Sequence, residues 1–562
     1  MSSAKKYGLM VLLLILALYI VPLGARPMFV PDEARYAEVP REMIASGDWV
    51  SPHLNGLRYF EKPALGYWAT AGSIMLFGAN NFAIRLPSAL SVALTAFIIL
   101  VITGSEAKKD ETSAPLAALI FLTSLEVYAV GTFCVLDSLL AFFLTGTMAS
   151  FYLASIATPG SRQEKKYLMF SGIFCGLAFL TKGFLAFAVP ILAIVPFLLT
   201  QRRFADIFRM AWLPMLTALL VALPWSVLIH LREPQFWHYF FWIEHVQRFL
   251  AENAQHKKTF WYFFLSAPPM FLPWIFLVPA AVTGLFSNTV ANRTAKRDIS
   301  PLASFCICWF IFPFLFFSVS NGKLLTYILP CFPPFAILLS LGLHRVLKRG
   351  RFRSFQLGTI TATLLHGALL VAIIAFLSAT HFFGFDIALP ENRIWKWLMA
   401  VNGLFVMVLF FIAAIRSRKV SQKILLFGLA PVLILFLANF IMPDLTLESK
   451  APVLLLKRHE KDVTPASIIF SGEKTVQAAC WYYKRNDIYM VESAGELEYG
   501  LEYDQSGSRL LKLKEVSRLI AEHPGRSVLI ASVKHYENWK KFLPAPSLLD
   551  NSGVKGYVFV KY

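Results

Sequence analysis

Long apolar runs broken by short basic clusters make up most of the chain. Runs long enough to cross a bilayer, roughly 17–25 residues, begin near Tyr7, Leu86, Ser113, Leu139, Tyr167, Phe184, Ile207, Trp261, Pro301, Leu324, Phe355, Ile394 and Ile424. The pattern predicts a multi-span α-helical membrane protein with about thirteen helices. Residues 167–200 are too many for one comfortable span, and Thr181, Lys182 and Gly183 interrupt them, which predicts a hairpin turning at Lys182 and Gly183. Lys5 and Lys6 precede the first run, whose length favours a retained anchor over a cleaved leader. After Met442 the pattern changes. Short β-type stretches at 467–471, 488–491, 527–533 and 556–561 alternate with helical patterns at 475–483, 513–522 and 536–542, predicting a small α/β domain over 444–562 behind a membrane domain over 1–443.

Composition narrows the class. The 562 residues are 57% hydrophobic and only 15% charged, which excludes an ordinary soluble domain and a disordered basic chain. Lys and Arg exceed Asp and Glu by 53 to 34, a net charge of +19. Most of that excess lies in the short connections: Lys108 and Lys109; Arg162, Lys165 and Lys166; Arg202, Arg203 and Arg209; Arg293, Lys296 and Arg297; the cluster from Arg345 to Arg353; and Arg416, Arg418, Lys419 and Lys423. Positive loops stay in the cytoplasm, so the charge records orientation and gives no support to a nucleic-acid partner. Of six cysteines only Cys480 falls in the C-terminal part, so no disulfide framework forms there. Cys306 and Cys308 stand two apart, on opposite sides of a helix, and read as packing residues.

Alternation then places the other connections on the outer face: a loop over 26–85, the turns at Asp137, at Lys182 and over 321–323, a second long loop over 231–260, and the C-terminal domain. In the first loop Asp32 sits where an N-cap would, and 34–45 has helical spacing, which predicts an amphipathic helix on the membrane surface. A solvated charged face is the bland alternative. Against it stand Asp137 and Glu126, carboxylates at membrane depth, which are costly unless they line a cavity. Lys182 and Lys323 are lone cations at hairpin tips, and in the second loop charges from Arg232 to Lys258 interleave with Phe236, Trp237, Tyr239, Phe240, Phe241 and Trp242. That mixture suits an amphipathic ligand with a phosphate and a lipid tail. No G-x-G-x-x-G or phosphate-loop pattern occurs.

These segments resemble the GT-C class integral-membrane glycosyltransferases that move 4-amino-4-deoxy-L-arabinose from undecaprenyl phosphate to lipid A. The resemblance runs through P-D-E-A-R-Y-A-E at 31–38, E-M-I-A-S-G-D-W at 42–49, L-R-Y-F-E-K-P at 57–63, V-L-D-S at 135–138, L-T-K-G-F-L-A at 180–186, F-W-H-Y-F-F-W-I-E-H at 236–245, Q-H-K at 255–257, S-N-G-K-L-L-T-Y at 320–327 and G-E-L-E-Y-G-L at 495–501. The Asp-Glu pair alone is shared with protein O-mannosyltransferases; the ordered set is far more specific. The resemblance implies a bacterial inner-membrane protein with its active site and C-terminal domain in the periplasm, an undecaprenyl phosphate aminoarabinose donor and a lipid A acceptor. It implies Asp32, Glu33 and Asp137 as catalytic candidates, and Lys62, Arg35, Tyr59, Tyr327 and Lys182 as contacts to the donor phosphate. Glu61 and Lys323 are further cavity candidates, and Asp137 or Glu61 could pair with the sugar ammonium. Asp137 could equally be a helix cap, and Glu496 and Gly500 could serve either the fold or the acceptor. No cofactor is required. A divalent metal between Glu61 and His256 is the weaker alternative. The rival readings are a protein O-mannosyltransferase, with Asp32 as base for a hydroxyl, and a transporter, which would need mid-membrane polar residues and an internal repeat.

Overall fold

The computed structural model describes residues 3–106, 112–247, 257–286, 299–382, 393–503, 506–553 and 556–562. Lys108, Lys109, Arg293, Lys296, Arg297, Arg248 and His256 lie outside them. The chain is mostly helical, and nine helices among the described residues are long and apolar enough to cross a membrane. Two further pairs are bent, Ser113–Leu122 with Leu125–Gly131 by 63° and Tyr262–Met270 with Trp274–Phe286 by 98°, giving up to eleven spans if each pair counts as one. Arg162–Lys182 and Leu185–Thr200 are also helical, joined by a turn at Gly183 with φ +81°. The first opens on a charged turn with Arg162, Glu164, Lys165 and Lys166, and the second has 16 residues, short for a span.

Helix packing uses small residues. A side chain at Gly172 would meet Pro214 O at 2.2 Å, and one at Gly176 would meet Ala218 O at 2.7 Å, so this glycine pair lets Arg162–Lys182 and Trp212–Arg232 touch through their backbones.

The helix of the first loop runs over Asp32–Ser46 and begins two residues earlier than its spacing predicts. It is not a surface helix. Every residue from Glu33 to Pro40 is buried, between Leu65–Phe77 and the C-terminal helix Val476–Tyr483. Several of its buried acids and bases find partners: Arg41 donates to both oxygens of Glu38 at 2.7 and 2.6 Å, and Glu42 Oε2 accepts from the Gly56 amide at 2.9 Å, though burial still pushes the Glu38 carboxyl up. Leu65–Phe77 is apolar, too short to be read as a span, and exposes Met75, Leu76 and Phe77 at its end.

From residue 444 onward a six-stranded sheet forms in the order Leu510–Leu511, Tyr489–Val491, Ile468–Ser471, Ser527–Ser532, Tyr557–Lys561, Leu548–Asn551. The first four strands are parallel to one another; the last two are added antiparallel. Ser527–Ser532 is buried along nearly its whole length, as a strand covered on both faces should be. This sheet docks closely on the first loop. Asn55 accepts from the Ile488 amide at 3.0 Å and donates to its carbonyl at 2.9 Å, imitating a strand neighbour. A side chain at Gly500 would stand 2.6 Å from Arg58 O, so only glycine allows this approach.

Candidate active site

Two adjacent acids at the start of Asp32–Ser46 point in different directions, because successive residues on a helix diverge by about 100°. Glu33 turns inward and is completely buried. Its oxygens accept from Arg26 at 2.6 and 3.1 Å, from Arg85 at 2.7 and 2.9 Å, and from the amides of Phe29 and Cys134 at 2.9 and 3.0 Å. Burial disfavours charge on Glu33, but the two guanidiniums outweigh it and hold the carboxyl well below the usual range. Arg85 also donates to the carbonyls of Leu23, Arg26 and Pro27, and Arg26 to Asn439 Oδ1. Glu33 is thus the centre of a saturated knot that fixes where the first loop leaves the membrane helices.

Asp32 turns the other way, with its side chain 54% exposed. Its Oδ1 accepts from Arg35 Nη2 at 2.7 Å. Arg35 also bonds Glu496 of the C-terminal region, whose other oxygen accepts from the Tyr59 hydroxyl at 3.3 Å. Burial works to raise the Glu496 carboxyl, yet Arg35 outweighs it and holds it below the ordinary value. Burial pushes the Tyr59 hydroxyl up, so it stays protonated and can donate. Lys62 lies alongside, donating to the Glu61 carbonyl at 2.7 Å and facing Glu244 at 3.4 Å and the Glu61 carboxylate at 3.8 Å. Two cations therefore share four carboxylates here, from Asp32, Glu61, Glu244 and Glu496.

A second ion pair joins the ends of two long helices. Lys182, the last residue of Arg162–Lys182, meets Asp137, the first of Asp137–Ile156, at 2.7 Å, and its ammonium lies 5.0 Å from the centre of the Tyr327 ring. Lys323, the other cavity candidate, bonds to backbone carbonyls. Its ammonium donates to the carbonyls of Lys258, at 3.0 Å, and of Ser320, stapling its own turn to the end of the second long loop. A backbone bridge between Lys257 and Gly322 reinforces that staple.

The structure therefore gathers Asp32, Arg35, Tyr59, Glu61 and Lys62 into one cluster, brings Asp137, Lys182 and Tyr327 together, and takes Glu33 and Lys323 into structural bonds. Tyr36 and Tyr67, unremarked as site residues in the sequence, stack at 6.2 Å within this region, and the buried Tyr67 hydroxyl has no hydrogen-bond partner among the described residues. Glu244 and Glu496 join from segments 182 and 461 positions away from their partners. The quoted motifs hold both residues, but nothing in their spacing announces the pairing. Among the described residues no group of three or more His, Cys, Asp and Glu is arranged to hold a metal, and the Glu61 and His256 pairing falls on a residue outside them.

Residues 5–240 match the dolichyl-phosphate-mannose-protein mannosyltransferase family, and residues 447–559 match the C-terminal domain of arabinosyl transferase ArnT. A curated relative from Shewanella sediminis, an undecaprenyl phosphate-alpha-4-amino-4-deoxy-L-arabinose arabinosyl transferase, is 38% identical over 507 residues, 90% of this chain and 89% of its own. The chain belongs to this arabinosyl transferase family. A second member, from Aeromonas salmonicida, is 38% identical over 91% of this chain and 90% of its own length. The crystal structure of ArnT from Cupriavidus metallidurans bound to undecaprenyl phosphate shares the fold, with TM-score 0.81 over 99% of this chain and 98% of that one at 23% identity. Membership of the arabinosyl transferases makes this protein an integral-membrane glycosyltransferase, with residues 5–240 similar in sequence to the mannosyltransferases and residues 447–559 to the C-terminal domain of its own family.

Proposed function

We propose that the protein transfers 4-amino-4-deoxy-L-arabinose from undecaprenyl phosphate to a phosphate of lipid A, at the periplasmic face of the bacterial inner membrane. The observation that carries this reading is the placement of Arg35, paired with the exposed Asp32, and of Lys62 around the same Glu496 carboxylate, where a phosphate-linked sugar can meet cations and a carboxylate at once. The names of the relatives support the donor. The acceptor phosphate, ionised at neutral pH, attacks the anomeric carbon; the bond from that carbon to the donor phosphate oxygen breaks, and undecaprenyl phosphate leaves with the electron pair. Lys62, Arg35 and the Tyr59 hydroxyl hold the donor phosphate, with Lys182 and Tyr327 at its edge. Asp32 orients the acceptor or steadies positive charge at the anomeric carbon. Asp137 holds Lys182 in place. Glu33 acts through the fold, and no step requires a metal.

Transfer adds an ammonium to an anionic lipid, which weakens its attraction for cationic antimicrobial peptides. Incubating the purified protein in detergent with the aminoarabinose donor and lipid A should add the mass of one aminoarabinosyl unit to lipid A. Transfer from another polyprenyl sugar but not from this one would sink the assignment.

The orientation follows from the basic connections, with thirteen spans when Arg162–Lys182 and Leu185–Thr200 are counted, and puts residues 444–562 in the periplasm. Single cysteines at exposed positions near Lys323 and near Lys348 should label from opposite sides of the membrane; labelling from one side would break this topology.

A further inference from the structure

The aminoarabinose donor carries a cation on its sugar, and nearly every carboxylate of the site is already committed to a protein cation. Asp32 and Glu496 hold Arg35, Glu61 and Glu244 hold Lys62, Asp137 holds Lys182, and Glu233 holds Arg58 at 2.8 Å. Glu126 is different. It is 7% exposed, its Oε1 is buried without a hydrogen-bond partner, and it makes no ion pair among the described residues.

Its surroundings are built irregularly. Glu126 lies in the first turn of Leu125–Gly131, just after the 63° break in its span. The Leu125 amide donates to Leu272 O at 3.1 Å, and Leu272 lies at the 98° break of the other bent span. The short helix Leu325–Cys331, which carries Tyr327, packs against both Leu125–Gly131 and Asp137–Ile156. Glu126 is within electrostatic reach of Asp137 and Tyr262. Broken helices at membrane depth persist where they are enclosed by protein or line a cavity. Two of them converge here on a carboxylate that has no cation among the described residues and lies within electrostatic reach of Asp137. A buried carboxylate without a cation is costly, and an ammonium delivered with the substrate removes that cost.

We propose that Glu126 binds the 4-ammonium of the donor sugar and so selects the cationic pentose over a neutral one. This rests on the transfer reading above, and it moves the ammonium contact away from Asp137, which holds Lys182, and from Glu61, whose burial favours the uncharged acid. The test compares two donors, undecaprenyl phosphate carrying 4-amino-4-deoxy-L-arabinose and the same lipid carrying L-arabinose, with lipid A as acceptor. Wild-type protein should prefer the amino donor. Glu126→Gln should lower kcat/KM for that donor by about 10-fold to 100-fold, the value of one charge-assisted hydrogen bond, and leave the neutral donor nearly unchanged. Glu126→Asp keeps the charge and should keep the preference. An unchanged donor ratio in Glu126→Gln, or an equal fall with both donors, would overturn the assignment, the latter marking a role in folding alone. Transfer from neither donor by wild-type protein would overturn the transfer reading itself and remove the ligand assigned to Glu126.

Discussion

Replacing Lys62 by Ala is expected to lower kcat for sugar transfer by about 100-fold to 1000-fold, the loss seen when one preorganised donor to a developing negative charge is removed. Lys62 has the geometry for that role. Its ammonium is partly anchored by the Glu61 carbonyl at 2.7 Å, so it is positioned before substrate arrives, yet its contacts with the Glu61 and Glu244 carboxylates, at 3.8 and 3.4 Å, are loose enough to be exchanged for a phosphate. Glu61 makes that exchange easier. Its burial, with Glu496 and Glu244 beside it, pushes the carboxyl up in spite of Lys62, the direction that favours release of its charge when an anionic phosphate enters. Arg at position 62 keeps the charge but replaces a compact ammonium by a planar fork, so Lys62→Arg should retain only part of the rate. The measurement is initial-rate transfer with saturating lipid A at matched protein amounts. Wild-type rates in Lys62→Ala, in a variant that elutes and unfolds like the parent, would remove Lys62 from the phosphate site.

What could be read in the sequence and what could not follow one physical division. The membrane helices are legible because length and hydrophobicity are local properties, and the hairpin at Lys182 because a cation and Gly183 interrupt an apolar run. The orientation of side chains is legible only when the partner is near. Spacing along 34–45 gave the helix correctly, but a charged helix reads as solvated until its partners are known. The partners are Arg85, 52 positions from Glu33, and the docked C-terminal helix Val476–Tyr483. The same limit hides the bonds of Lys323: a lone lysine at a turn resembles a ligand contact, and only the fold shows its ammonium donating to carbonyls three and 65 residues away. Glu496 joins the site because glycine at 500 lets the C-terminal region reach the backbone at Arg58. No local pattern encodes a contact of that range.

The neighbouring acids Asp32 and Glu33 should therefore fail in opposite ways. Removing the carboxylate in Glu33→Ala strands two guanidiniums in a fully buried site, where breaking a buried pair costs about 3–5 kcal/mol. Some of this loss falls on Arg85, whose remaining bonds go to the carbonyls of Leu23, Arg26 and Pro27 at the entry to the first loop, so the position of that loop should loosen with it. Glu33→Ala is expected to be poorly recovered from membranes and to unfold at a markedly lower temperature in detergent. Asp32→Asn removes a charge from a side chain that is half-exposed and bonded to Arg35, which still keeps Glu496. Its unfolding temperature should stay near that of the parent while transfer is lost. Thermal unfolding and transfer measured on the same preparations separate the two. A Glu33→Ala protein as stable as the parent yet inactive would return Glu33 to the chemistry, and an active Asp32→Asn protein would take Asp32 out of it. The adjacent acids are thus divided by the turn of the helix: one fixes the loop from within, and the other faces away from that knot, half-exposed and bonded to Arg35.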